Sequence, residues 1–130
     1  MNESIFSKII RGEIPSHKIY EDELTYAFLD IHPIQPGHVL VVPKEEVDSL
    51  WNLSDENYQA VMKTVRKVAA QCKRVLNVPY VGVQVIGVDV PHAHVHVVPF
   101  STVQGFRHVP DTNVEPDHAA LTVLAEKLAF

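Results

Sequence analysis

Residues 91–99 read Pro-His-Ala-His-Val-His-Val-Val-Pro. Strict alternation of histidine with small or β-branched apolar residues is the pattern of a half-buried strand. Pro91 and Pro99 suit its ends, where a missing N–H costs least. Successive strand side chains point to opposite faces. The pattern therefore predicts His92, His94 and His96 in a row on one face, with Ala93, Val95 and Val97 on the other. Such a row can do acid–base or nucleophilic chemistry near neutral pH or bind zinc or copper. Plain solvation is the bland alternative, and three histidines in register inside an apolar strand weigh against it.

The rest of the chain supplies elements for that strand to pack on. Ile5, Phe6, Ile9 and Ile10 fall at helical spacing before Gly12, which predicts a short helix over Ser4–Arg11. Lys18–Glu21 and Thr25–Asp30 read as strands around an acidic turn. Residues 36–44, Pro-Gly-His-Val-Leu-Val-Val-Pro-Lys, read as a loop feeding a strand that is apolar on both faces and hence central. Ser54 is a natural N-cap before Asp55-Glu56, and apolar residues at i, i+3, i+4 spacing run from Tyr58 to Leu76. Val81–Gly87 reads as a strand forming a hairpin with the histidine stretch through a short connection. Residues 101–113 read as a loop, and Glu115-Pro116-Asp117 opens a last helix with Pro116 in its first turn.

With 130 residues, one domain (1–130) is expected, its core over about 4–100. A net charge of −5 with no basic block argues against nucleic acid as the partner, but not against a nucleotide, which needs only a local anion site. No stretch is apolar enough to cross a membrane, and Met1-Asn2-Glu3-Ser4 lacks the basic and apolar regions of a leader. The single cysteine, Cys72, fits a reducing cytoplasm, and its place on the apolar helix face reads as a packed thiol rather than a nucleophile. Asp30, ending a strand, can accept two hydrogen bonds from a ribose diol or close an Asx-turn into Pro33. The residues alone leave both open. His38, read alone, is a surface-loop histidine.

His92-Ala93-His94-Val95-His96-Val97-Val98 resembles the signature of the histidine triad (HIT) family of nucleotide hydrolases and transferases. The segments at 30–38 and 36–44 extend the resemblance, which covers about residues 4–100 and points to the HINT-like branch. It implies an α+β, HIT-like fold: an antiparallel sheet of about five strands with one long helix, short terminal helices and a homodimeric assembly. It also implies attack by His94 on the α-phosphorus of a purine nucleotide phosphoramidate, ester or anhydride, with His92 and His96 donating to oxygens and leaving group. His38 would hold the tautomer of His94. Asp30 would take the ribose. Phe6, Ile9, Phe28, Leu29, Ile31 and Leu40 would line the base, and Gln84, Asp89 and Val90 would lie near the phosphate. No metal cofactor is implied.

Two departures from the family pattern matter. Many bacterial members carry a cysteine pair at the positions of Ser4 and Ser7 and a histidine at Glu46, which help hold a structural zinc; hydroxyls are poor ligands beside thiolates, so zinc is expected to be absent. Val88 and Asp89 replace the Gln and Ser common in the phosphate loop, and a carboxylate there repels phosphate. A non-catalytic nucleotide-binding or scaffold protein is the alternative reading.

Overall fold

The computed structural model describes residues 3–130; Met1 and Asn2, part of the N-terminal stretch read above for a leader, lie outside the described residues. Helix α1 (Ile5–Ile10) starts where Ser4 Oγ accepts the Ser7 N–H and ends at Arg11, and Gly12 turns the chain away at φ +79°. Strands β1 (Lys18–Glu21), β2 (Thr25–Leu29) and β3 (Val39–Pro43) follow. A short 3-10 turn (Leu50–Asn52) leads to the long helix α2 (Asp55–Leu76), which is capped by Ser54 as its side chain implies and closed by Asn77 in the left-handed conformation. Strands β4 (Tyr80–Gln84) and β5 (Val95–Phe100), the four-residue helix α3 (Val103–Phe106) and helix α4 (His118–Leu128) complete the chain. All strand pairs are antiparallel, in the order β1-β2-β3-β5-β4.

The two faces of this five-stranded sheet have different fates. Ala27, Leu29, Val39, Val41, Val95 and Val97 alternate onto the face covered by α2 and α4, where Val61, Val65, Val68, Cys72, Leu121 and Leu128 complete the main core. On the opposite face, cross-strand register sets Phe28 beside Leu40, Leu40 beside His96 and His96 beside Gln84. Helix α1 covers part of that face, and Phe6 and Ile9 join Tyr26, Phe28, Leu40 and Val42 in a second apolar cluster bordered by Val90. One face thus holds the fold together while the other carries a row of chemistry. Gly37 feeds β3 at φ +90°, and a Cβ there would stand 2.5 Å from Leu76 Cδ1. Conformation and space both require glycine at that point.

Five expectations are corrected. Strand β5 begins at Val95, not Pro91. Pro91 offers no N–H, His92 N bonds Val90 O, and Ala93 N bonds Val47 O, so the ladder with β3 starts only at Val95 opposite Val41. Pro99 lies inside the strand, opposite Val81, rather than ending it. The β4–β5 connection is long, running over residues 85–94. The stretch 101–113 contains α3, whose Phe106 ring covers Gly82. Pro116 precedes the cap of α4, which is Asp117. Among the described residues no helix is long and apolar enough to cross a membrane.

Candidate active site

His94 and His96 stand beside one another at the start of β5, His38 at the start of β3 packs against His96, and hydrogen bonds fix the proton on each ring. A carbonyl can only accept, so His94 Nδ1, 2.7 Å from His92 O, carries the hydrogen. A neutral His94 ring then presents the bare lone pair of Nε2. The Ile34 amide donates to His38 Nδ1 (3.0 Å), which puts the His38 proton on Nε2, 3.0 Å from His96 Nδ1. His96 must accept there and carry its own proton on Nε2. The rings of His94 and His96 meet edge to face at 5.1 Å. Two adjacent rings therefore carry a bare nitrogen and an N–H donor, set by two backbone groups far apart in the sequence.

Burial favours the neutral form of the His38, His96 and His92 rings. Burial, followed by the neighbouring His96, pushes His38 down to about 3. Burial, followed by His94, pushes His96 down to about 4, with Asp89 opposing. His92 is also lowered by burial. His92 is 1% exposed, with Nε2 at 2.8 Å from Pro43 O and Nδ1 at 2.7 Å from Ser4 Oγ. Both its ring atoms are engaged inside the protein. This corrects the expected row of three: His92 is turned inward and offers the site its carbonyl, not its ring. The expected partner of His94 changes with it, since the His92 carbonyl holds the His94 tautomer and His38 holds that of His96.

Asp30 is partly buried beside this group. Its Oδ1 accepts the His32 N–H at 2.8 Å, so the Asx-turn is formed, and Oδ2 lies 3.6 Å from His38 Nε2. Burial raises this carboxyl, with the His32 amide opposing. Phe28 and Leu40 continue the row from His96 toward α1, and Phe6 stands edge-on to His94 at 5.1 Å. Phe6 and Ile9 therefore wall an apolar surface next to the histidines, with Val90 at its border. Leu29 does not belong to that wall. Adjacent strand residues face opposite ways, and Leu29 is buried under α2 in the main core. Ile31 is 42% exposed and lies outside the cluster. Gln84 faces His96 across the ladder, while Asp89 is exposed in the 85–94 loop, its charge felt at both Asp30 and His96.

Asp30, His38 and His96 also place three potential metal-ligand atoms within 4.8 Å of one another. His38 Nε2 is the protonated nitrogen, so a cation there would have to break the Ile34 bond and reverse the ring's tautomer. The arrangement suits a hydrogen-bond relay better than a metal centre. Sequence reasoning had no access to Ile34, whose contribution is a main-chain N–H, nor to the Pro43 and His92 carbonyls.

The HIT domain model matches residues 11–103. The chain belongs to the HIT family. The HIT-like protein of Borreliella burgdorferi, itself uncharacterized, is 42% identical over 113 residues, which span 82% of this chain and 81% of that one. The purine nucleoside phosphoramidase of Escherichia coli is 37% identical over 103 residues, 74% of this HIT chain and 86% of that enzyme. A HIT-like protein of Bartonella henselae, described as involved in cell-cycle regulation, superposes with a TM-score of 0.86 at 32% identity, covering 98% of this HIT chain and 95% of that one. The five-stranded antiparallel sheet with one long helix is thus the HIT fold.

Proposed function

We propose that this chain is a nucleoside phosphoramidase that hydrolyses a purine nucleotide phosphoramidate through a nucleotidyl-His94 intermediate. The single observation that carries the reading is the hydrogen-bond pattern that leaves His94 Nε2 bare and gives the adjacent His96 ring its proton on Nε2. The names of relatives support it: the matched enzyme of Escherichia coli is a purine nucleoside phosphoramidase. In the first step His94 Nε2 attacks the α-phosphorus and the P–N bond breaks. The amine leaves with the bonding pair and a proton drawn from solvent, while His96 Nε2–H donates to the leaving atom. The His92 carbonyl accepts from His94 Nδ1–H as positive charge develops on that ring. In the second step water attacks phosphorus, the electron pair returns to Nε2, and the water's proton goes to solvent. Phe6, Ile9, Phe28 and Leu40 hold the base, and Asp30 Oδ2 accepts from the ribose hydroxyls.

The reading needs no metal, because transferring a phosphoryl group depends on positioned donors that the histidines provide. It also needs no structural zinc, since Ser4 and Ser7 offer hydroxyls and Glu46 is exposed. A second copy pairs along β4, which lies at the sheet edge with Tyr80 and Val83 exposed and is followed by exposed Ile86 and Val88 in the 85–94 loop. A buried free Cys72 suits a reducing cytoplasm.

The alternative, a nucleotide-binding protein without turnover, draws support from the 85–94 loop, where Val88 is 80% exposed and Asp89 adds negative charge. Turnover of an adenosine phosphoramidate in chelator separates the two readings. Metal-independent amine release by wild type, lost in His94→Ala, is expected. Nucleotide binding without release, extended to a diadenosine polyphosphate, would favour the binding protein.

A further inference from the structure

Ser4 does two things with one oxygen. It accepts the Ser7 N–H at 3.0 Å as the cap of α1, and it lies 2.7 Å from His92 Nδ1. His92 gives its Nε2–H to Pro43 O at 2.8 Å, so Nδ1 of the neutral ring is an acceptor and the hydrogen between it and Ser4 belongs to serine. Ser7 Oγ stands 3.3 Å from the same nitrogen and 3.2 Å from Ser4 Oγ. Ser4, Ser7 and His92 are 7%, 4% and 1% exposed, so these bonds form away from bulk water, where each counts for more. The group joins α1 and the end of β3 to the residue whose carbonyl holds His94 Nδ1–H. Phe6, two residues along α1, packs edge-on to both His92 and His94.

We propose that Ser4, assisted by Ser7, is a positioning residue for His94, a metal-free latch that holds the His92 ring and hence the carbonyl that orients the nucleophile. Hydroxyls are weak metal ligands beside thiolates, and here they and His92 satisfy one another and Pro43 O, so the donor set does not fit a structural zinc. The role in turnover rests on His94 being the nucleophile; the latch itself does not.

Three substitutions at Ser4 separate latching from helix capping. Ser4→Thr keeps both cap and hydroxyl donor, Ser4→Gly keeps most of the capping preference but has no donor, and Ser4→Ala has neither. Ser7→Ala leaves the Ser4 cap whole. Each folded variant, checked by thermal melting, is assayed for kcat and KM on an adenosine phosphoramidate, and the histidine rings are read by 15N NMR. Wild type and Ser4→Thr are expected to show His92 with bare Nδ1 and protonated Nε2, with kcat within about threefold of each other. Ser4→Gly and Ser4→Ala are expected to lose about tenfold in kcat with KM within twofold, the worth of one hydrogen bond. Ser7→Ala is expected to lose less, about threefold. Wild-type kcat in Ser4→Gly would reduce Ser4 to a cap, and a wild-type His92 carrying its proton on Nδ1 would remove the serine donor altogether; either overturns the proposal. If wild type turns over no phosphoramidate, the proposed function fails, and the ring spectra alone decide the latch.

Discussion

Acid should destabilise this fold through His38 and His96. Both rings are held neutral, at about 3 and about 4, mainly by burial, against an ordinary value of 6.5. A histidine depressed in the folded state contributes stability that is fully present above pH 6.5 and is lost as pH falls toward the folded value, because only the unfolded chain takes up the proton. Near pH 5 each ring adds a slope approaching ~1.4 kcal/mol per pH unit. Between pH 7 and pH 4.5 the loss integrates to roughly 2–3 kcal/mol per ring and roughly 5 kcal/mol for the pair. Asp30, raised by burial, gains on acidification and offsets part of this. A loss of that size is a large share of the ~5–15 kcal/mol available to a small domain. Urea unfolding at the two pH values measures it for wild type, His38→Gln and His96→Gln. Each variant should start less stable at pH 7 and lose roughly 2 kcal/mol less on acidification than wild type does. A variant that loses as much as wild type would refute the claim that these rings are neutral in the fold.

Three other outcomes follow from the packing and the relay. Gly37→Ala combines left-handed backbone strain with a Cβ 2.5 Å from Leu76 Cδ1 and should cost about 3 kcal/mol in urea titrations. Cys72, buried and pushed up to about 12, should ignore a thiol reagent at pH 8 until the protein is unfolded. Zinc added in equimolar amount should leave 15N shifts of His38 unchanged, because its Nε2 proton is fixed by the Ile34 amide, whereas ligation by His38 would move them.

The strands and helices were legible where local chemistry and packing agree. Ser54 and Asn77 bracket α2, and the run of residues 39–42, apolar on both faces, matches a central strand buried on both sides. Alternation failed at residues 91–94 because it reports side-chain pattern and not where the amides go: the Ala93 N–H is taken by Val47, outside the ladder. Leu29 was placed with Phe28 by resemblance although neighbours on a strand face opposite ways. Helix α3 is too short for a period to show. The tautomers were out of reach, since Ile34, Pro43 and His92 act through main-chain groups that any residue would provide.

The most direct test of the account is to trap the reacting histidine. Wild type mixed with an adenosine phosphoramidate and quenched within a turnover should carry one adenylyl group on the peptide holding His94, absent in His94→Asn. An adduct on His92, whose ring is closed off by Ser4 and Pro43, or amine release with no adduct on any histidine, would contradict it.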